Sequence, residues 1–290
     1  MPGRPSRIIA VVGVKGGAVK SSTAAALLHT YAHLVPGMVV GVDFNDDFGT
    51  LCQSLGVLRS TAQGRLVSLA ASTDRIGSAA ELAPFMDLSG RVHLLHNEDV
   101  SSEQIQSMTQ DQGMAVLDLL SSMASVIVVD CGTNLISPAT RAVLARADQL
   151  VIASSAAPAS INVTVRGVGQ ILKNGHAELV ADATAVLTKV TTAITDKQLA
   201  KGRAFFEQKC ADVVVVPYDH AIAASSAIPF NTLSPATRLA HAQVAASASR
   251  ALIQWPRHLS PSVVDQQPWV SGWNNTDTHT ELPQRNGHPS

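Results

Sequence analysis

The sequence predicts an α/β fold built as a single domain, in which a mostly parallel twisted sheet is flanked by helices on both faces. Two observations support this prediction. Short runs of β-branched residues alternate along the chain with longer Ala- and Leu-rich segments, which is the pattern of repeated strand and helix units. The chain has 290 residues, of which 46% are hydrophobic and 15% charged, so it is long and apolar enough to bury one large core.

Seven apolar runs are expected to form buried strands. They cover residues 8–14, 38–43, 92–96, 125–130, 149–153, 185–188 and 213–217. Six segments between or after them have helical length and composition, at residues 20–34, 103–123, 138–147, 160–173, 195–208 and 235–253. Residues 51–90 have a weaker periodicity, and we interpret them as mixed helix and loop.

Composition defines the domain organisation and excludes several classes of protein. We assign residues 1–254 to the α/β domain and residues 255–290 to a polar, Pro- and Trp-containing extension without periodicity, which we expect to be flexible. A net charge of −1 argues against a strongly cationic DNA coat protein. No apolar run approaches the ~20 residues that span a bilayer, and the cysteines lack C-x-x-C spacing. We therefore expect a cytoplasmic protein without a structural zinc site.

The strongest chemical signal follows the first predicted strand. A strand, a Gly-rich turn and a helix N-terminus together direct backbone N–H groups and the positive end of the helix dipole at an anion. Lys20 is expected to reach the β- and γ-phosphates of a nucleotide, and Ser21 to ligate Mg²⁺. The residues expected to bind the cofactor here are Gly13, Lys15, Gly16, Gly17, Ala18, Val19, Lys20, Ser21 and Ser22.

Two aspartates end predicted strands that should lie beside this turn. Asp43 ends the second strand, and Asp130 follows the apolar run 126–129. In open α/β sheets, ligands bind at the carboxyl ends of the strands, so both carboxylates are candidate Mg²⁺ ligands, Asp130 through a water molecule. Asp46 and Asp47 are further carboxylates within reach of such a site. The alternative interpretation of these two residues is a solvated acidic loop. We interpret Cys131 as a small buried hydrophobic residue rather than a nucleophile.

These motifs resemble those of the deviant Walker A ATPases of the ParA/MinD type, which are SIMIBI-class P-loop NTPases. Their loop reads K-G-G-x-x-K-[ST], and the resemblance covers about residues 8–252. It implies ATP and Mg²⁺ as cofactors and an ATP-dependent homodimer in which Lys15 contacts the nucleotide of the partner subunit. It also implies catalytic roles for Lys15, Asp43, Asn45 and Asp47, and a nucleotide-base contact near Pro217 and Asp219.

Two residues depart from the family pattern. Val19 replaces a glycine that permits positive φ, so we expect either an altered loop or reduced nucleotide affinity. Asn45 replaces an aspartate that helps to orient the attacking water. An amide can position water but cannot accept its proton as a carboxylate does, so we expect slow hydrolysis.

The resemblance leaves three roles open. The first is a nucleoid-associated ATPase of ParA type that partitions DNA cargo, binding DNA non-specifically through Lys197, Lys201 and Arg203, although a solvated helix face explains these charges equally well. The second is a MinD-like positioning or regulatory ATPase for a secretion or surface apparatus, of an actinobacterial branch. The third is a nucleotide-binding pseudo-ATPase scaffold. We further expect a small partner protein that stimulates hydrolysis and no membrane insertion, since the extension lacks a basic amphipathic stripe.

Overall fold

The computed structural model describes residues 7–14, 19–45, 50–57, 62, 65–97, 103, 108–224 and 230–250. Within these ranges the chain forms eight strands. They are β1 (Arg7–Val12), β2 (Val39–Phe44), β3 (Asp87–Ser89), β4 (Val92–Leu95), β5 (Val126–Cys131), β6 (Gln149–Ser155), β7 (Thr184–Thr188) and β8 (Asp212–Val216). The proposed extension 255–290 lies outside the described residues, so its separation from the domain stays a prediction.

The same ranges contain eleven α-helices. They are α1 (Val19–Leu34), α2 (Leu51–Ser54), α3 (Leu66–Ala70), α4 (Ala79–Leu82), α5 (Gln110–Ser121), α6 (Pro138–Arg146), α7 (Pro158–Lys173), α8 (Ala177–Ala181), α9 (Asp196–Glu207), α10 (His220–Ala223) and α11 (Pro235–Ala248). Three short 3-10 helices cover Thr73–Arg75, Ala83–Phe85 and Phe230–Thr232. Within the described chain, no helix has both the length and the apolar composition needed to cross a bilayer.

All strands join one sheet in the order β3-β4-β2-β5-β1-β6-β7-β8. Every neighbouring pair is parallel except β3 and β4, which are antiparallel. The mostly parallel α/β sheet that the sequence predicts is thereby confirmed. Since β1 lies between β5 and β6, the turn after β1 is at the middle of the sheet's carboxyl edge.

Helices cover both faces of the sheet. On one face, α1 and α11 pack against each other and against side chains from the central strands, including Ile9, Val128 and Val151. Helices α5, α6, α7 and α9 cover the opposite face. Because residues alternate between the faces along a strand, Asp43 and Asp130 point to the same side as Val39 and Val128, which is the side of α1.

The predicted elements differ from the observed ones mainly at their ends. Each of the seven predicted strands is present and its ends shift by at most two residues. The helix expected at 103–123 runs only from Gln110 to Ser121, because Thr109 caps its N-terminus. The helix expected at 160–173 begins at Pro158, and the helix expected at 235–253 ends at Ala248. Strand β3 was not predicted, because its sequence Asp-Leu-Ser has no strand pattern and it forms only by pairing with β4.

Candidate functional site

The turn after β1 begins in tight packing. A Cβ atom at Gly13 would lie 3.0 Å from the carbonyl oxygen of Ala153 on β6, so a larger residue would require β6 to shift by a few tenths of an ångström. Lys15, Gly16, Gly17 and Ala18 lie outside the described residues. Their predicted contacts with phosphate therefore stay predictions.

Val19 is the first residue of α1, and its side chain is buried in the apolar cluster between α1 and the sheet. Its carbonyl oxygen accepts hydrogen bonds from the hydroxyls of Ser22 (3.0 Å) and Thr23 (2.6 Å). Helical residues have negative φ, so a valine at the start of α1 has no need of the positive φ that a glycine permits. Val19 at the start of the helix agrees with the altered-geometry alternative, and its effect on nucleotide affinity stays a prediction. Ser22, predicted to bind the cofactor, uses its hydroxyl within the helix.

Lys20 and Ser21, in the first turn of α1, converge on one carboxylate at the end of β5. The Lys20 ammonium donates to Asp130 Oδ1 at 2.6 Å, and the Ser21 hydroxyl donates to Asp130 Oδ2 at 2.6 Å. Asp130 is fully buried and Lys20 nearly so. Lys20 and Ser21 therefore form one contact cluster with Asp130, which lies about 110 positions further along the chain. The sequence predicted phosphate or Mg²⁺ binding for all three residues.

Asp43 stands beside this cluster, opposite Asp130 in the register of β2 and β5. Its carboxylate accepts two backbone hydrogen bonds, one at Oδ1 from the N–H of Asn45 and one at Oδ2 from the N–H of Leu51, each with an N to O distance of 3.1 Å. These two donors lie on either side of residues 46–49. The predicted candidates Asp46 and Asp47 belong to that segment, outside the described residues.

Burial and mutual charge set the proton affinities of the cluster. Burial and the neighbouring Asp130 carboxylate raise the pKa of Asp43 to about 7, against the opposing effects of Lys20 and the two backbone donors. Burial alone would lower the pKa of Lys20, but the Asp130 and Asp43 carboxylates outweigh it, so that pKa is raised. Burial also raises the pKa of the Cys131 thiol to about 12, as suits the buried, unreactive residue that the sequence predicts.

Thr50 was not predicted as a site residue. It comes directly before α2, and its hydroxyl donates to Ser21 Oγ at 2.8 Å. A threonine before a helix is usually interpreted as an N-cap, so the sequence carries no distinct signal of this contact. The only feature of the sequence that connects Thr50 with the site is that it follows Asp43 closely in the chain.

The donor set fits a magnesium nucleotide. Mg²⁺ prefers hard oxygen ligands and is usually held by one or two carboxylates together with substrate phosphates. The Ser21 hydroxyl and the Asp130 and Asp43 carboxylates provide such oxygens, next to one ammonium group for the phosphates. Among the described residues, no group of three His, Cys, Asp or Glu side chains could hold a metal ion by itself. Mg²⁺ commonly completes its coordination with water molecules and substrate phosphates.

Pro217 and Asp219 follow β8 on the same edge of the sheet, but they do not join the cluster around Asp130. Three strand intervals separate β8 from β1, which is about 14 Å at ~4.8 Å per interval. Asp219 accepts backbone N–H groups from Ala221 (3.0 Å) and Ser234 (2.9 Å). Burial raises the pKa of Asp219, but its hydrogen bonds outweigh this effect and hold the pKa below the ordinary value. Asp219 therefore organises the loops beside β8, and the base contact stays a prediction.

The basic residues proposed for DNA binding lie on α9. Lys197, Lys201 and Arg203 are all exposed there. Arg203 Nε donates to Glu207 Oε1 at 2.6 Å, and Lys189 nearby forms an ion pair of 3.6 Å with Asp196. Because acidic residues compensate part of the positive charge, the patch is weaker than the sequence alone suggests.

No protein-family model matches the chain. It is 24% identical over 249 residues to the ESX-1 secretion-associated protein EspI of Mycobacterium tuberculosis, a match that covers 85% of this chain. The chain spans only 37% of the length of that protein.

Solved structures of low sequence identity share the fold. A ParA family ATPase from Chlorobium tepidum superposes with a TM-score of 0.60 at 19% identity, covering 89% of this chain and 100% of that one. The septum site-determining protein MinD from Pyrococcus horikoshii, solved with Mg-ADP, gives a TM-score of 0.62 at 17% identity, covering 83% and 94%. The chain therefore has the fold of the ParA/MinD-type ATPases.

Proposed function

We propose that this protein is a nucleotide-dependent switch ATPase of the ParA/MinD type, which binds Mg-ATP as a dimer and hydrolyses it slowly. The observation that carries the proposal is the buried cluster of Lys20, Ser21, Asp130 and Asp43 at the N-terminus of α1. A 16-residue helix directs its positive end at this point. The fold similarity to MinD solved with Mg-ADP supports the same ligand here.

Each residue of the cluster has a distinct task in this proposal. Lys20 would bind the phosphates, while Ser21 and Asp130 would hold Mg²⁺, which neutralises phosphate charge during phosphoryl transfer. Asp43 is buried beside them, held by the backbone N–H groups of Asn45 and Leu51, and would supply the carboxylate that acts in hydrolysis. Asn45, whose backbone is fixed by Asp43, would orient water without accepting its proton.

Nucleotide binding by three variants tests this proposal. Lys20→Ala should lose ATP and ADP binding, because it removes the phosphate-binding ammonium. Lys15→Ala should keep nucleotide binding and lose ATP-dependent dimerisation, because its proposed contact is with the partner's nucleotide. The exposed Lys197→Ala is the matched control and should leave both properties unchanged. Unaltered binding and dimerisation in both site variants, measured by calorimetry and sedimentation, would refute the assignment.

The similarity to EspI favours a positioning or regulatory role at a secretion apparatus. In this role the cargo is recognised through a protein partner. ATP-dependent binding to a secretion component, lost in Lys20→Ala, is the expected result. Binding that is equal with ATP, with ADP and without nucleotide would contradict a nucleotide switch.

DNA partition is the second candidate, favoured by the fold of the ParA neighbour and by exposed Lys197 and Lys201 on α9. It predicts ATP-dependent DNA binding that ignores sequence and falls steeply with salt, because neutralised phosphates release counterions. Charge reversal at Lys197, Lys201 and Arg203 should abolish this binding and keep the ATP-dependent dimer. A dimer that ignores DNA at low salt in every nucleotide state rejects this candidate in favour of secretion.

A further inference from the structure

Thr50 has the position of an N-cap residue without performing that function. It precedes α2 with φ −109° and ψ 5°, and its side chain makes no capping hydrogen bond. The first N–H of the helix, from Leu51, is instead satisfied by Asp43 Oδ2 at 3.1 Å. Asp43 therefore caps α2 in place of Thr50. The Thr50 hydroxyl instead donates to Ser21 Oγ at 2.8 Å.

The hydrogen bonds of Ser21 leave it one free acceptor position. A serine hydroxyl has one proton and two lone pairs. The Ser21 proton goes to Asp130 Oδ2, and one lone pair accepts the Thr50 hydroxyl. These two bonds fix the rotation of the hydroxyl, so the remaining lone pair has one defined direction.

We propose that Thr50 is a positioning residue for the magnesium nucleotide, which orients the Ser21 hydroxyl so that its free lone pair meets the metal. This inference rests on the proposed function, because it assumes that Ser21 ligates Mg²⁺. Groups that orient a metal ligand through a hydrogen bond typically contribute 10- to 100-fold to metal affinity. Thr50 also links the metal site to the segment after β2, since Asp43 holds the neighbouring backbone of Leu51.

The position of Thr50 favours this role over simple loop stability. Thr50 is exposed, whereas Ser21 and Asp130 are buried, so its hydroxyl could bond to water at no cost if it had no task at Ser21. The backbone on its C-terminal side is fixed independently by Asp43. Removing the Thr50 hydroxyl should therefore leave the backbone at Leu51 in place and affect only the orientation of the Ser21 hydroxyl.

ADP affinity of the full chain, measured by calorimetry in Mg²⁺ and again in EDTA, tests the inference. Thr50→Val keeps the shape of the side chain and removes the hydroxyl. It should weaken ADP binding about tenfold in Mg²⁺ and leave binding in EDTA unchanged. Thr50→Ser restores a hydroxyl and should recover most of the wild-type affinity. Thr30→Val is the matched control, because the Thr30 hydroxyl bonds only to Ala26 O within α1, away from the site.

The possible results separate this inference from the proposed function. If Thr50→Val binds ADP with wild-type affinity in both buffers, the proposed role of Thr50 is wrong. An equal loss in both buffers, or a failure of Thr50→Ser to recover affinity, also overturns it, since either result indicates a structural role. A wild-type chain that binds no ADP in either buffer overturns the proposed function and this inference together.

Discussion

Asp43 and Asp130 lie directly opposite each other on the adjacent parallel strands β2 and β5, with both side chains buried on the α1 side of the sheet. Two carboxylates so placed repel each other, and Lys20 is the ammonium group that acts on both. Removing Lys20 from its buried ion pair with Asp130 should cost about 3 to 5 kcal/mol, because it leaves an uncompensated negative charge. A divalent cation at this position would relieve the repulsion, which connects the geometry to Mg²⁺ binding.

Substituting Val19 by glycine should reduce stability without tightening nucleotide binding. Val19 is helical and buried, so Val19→Gly loses apolar burial and helix propensity, together about 2 to 3 kcal/mol. Urea unfolding measures the loss, and Val19→Ala, which favours the helix, should lose less. ADP affinity that rises in Val19→Gly would show that the valine does strain the phosphate site.

Introducing a carboxylate at position 45 should accelerate hydrolysis. Asn45→Asp supplies a proton acceptor beside Asp43, and we expect turnover to rise about tenfold, which equals ~1.4 kcal/mol of barrier. Asn45→Ala keeps the backbone N–H bond to Asp43 and should lower turnover, which separates the side chain from the backbone. Asp43→Asn should abolish the residual activity. Phosphate release by these variants under saturating ATP is the measurement.

An inert Asn45→Asp together with an Asp43→Asn variant that turns over normally would contradict this assignment. The catalytic group would then lie elsewhere, and Asp47 would be the next residue to change. Retained ADP binding in each variant is the control that distinguishes lost chemistry from a lost site.

The sequence could predict that the site residues come together, because the local sequence shows where each strand ends. Apolar runs that stop at Asp43 and Asp130 mark the carboxyl ends of parallel strands, and such ends meet at one edge of the sheet. Lys20 and Ser21 follow β1 at the spacing of a phosphate-binding turn. The sheet order itself depends on tertiary pairing and required the structure.

Thr50 and Val19 show what the sequence could not provide. The contact of Thr50 with Ser21 joins residues 29 positions apart, and it depends on Asp43 replacing Thr50 as the cap of α2. The helical position of Val19 depends on where α1 begins, and helix ends are poorly determined by local sequence. Both features depend on the position of the N-terminus of α1 at the carboxyl edge of the sheet.

Two glycines of α7 should respond oppositely to alanine. A Cβ at Gly169 would meet no atom within 4 Å, so Gly169→Ala should stabilise the helix by about 1 kcal/mol. A Cβ at Gly167 would collide with Val14 Cγ2 and lie 2.9 Å from Leu135 Cδ1, so Gly167→Ala should destabilise by ~1 to 3 kcal/mol. Because Val14 immediately precedes the phosphate turn, Gly167→Ala should also weaken ADP binding. Equal urea midpoints for the two variants would contradict this packing.

The buried His241 should make stability depend on pH in one defined interval. It lies on α11 with its Nδ1 bonded to the Thr237 carbonyl at 3.0 Å, so this nitrogen carries the proton of the neutral ring. Burial lowers the pKa of His241 to about 4, although the Thr237 bond and the Asp219 carboxylate oppose the shift.

Between pH 6.5 and about 4, the unfolded chain binds a proton at His241 that the native chain does not bind. The free energy of unfolding should therefore fall as pH decreases through this interval, by roughly 3 kcal/mol from this group, and the contribution is complete above pH 6.5. His241→Gln keeps a donor for Thr237 and cannot titrate, so the difference in stability between wild type and variant should shrink steadily as the pH is lowered. Urea unfolding at four pH values measures these profiles, and parallel curves for wild type and His241→Gln would show that His241 is not the titrating group.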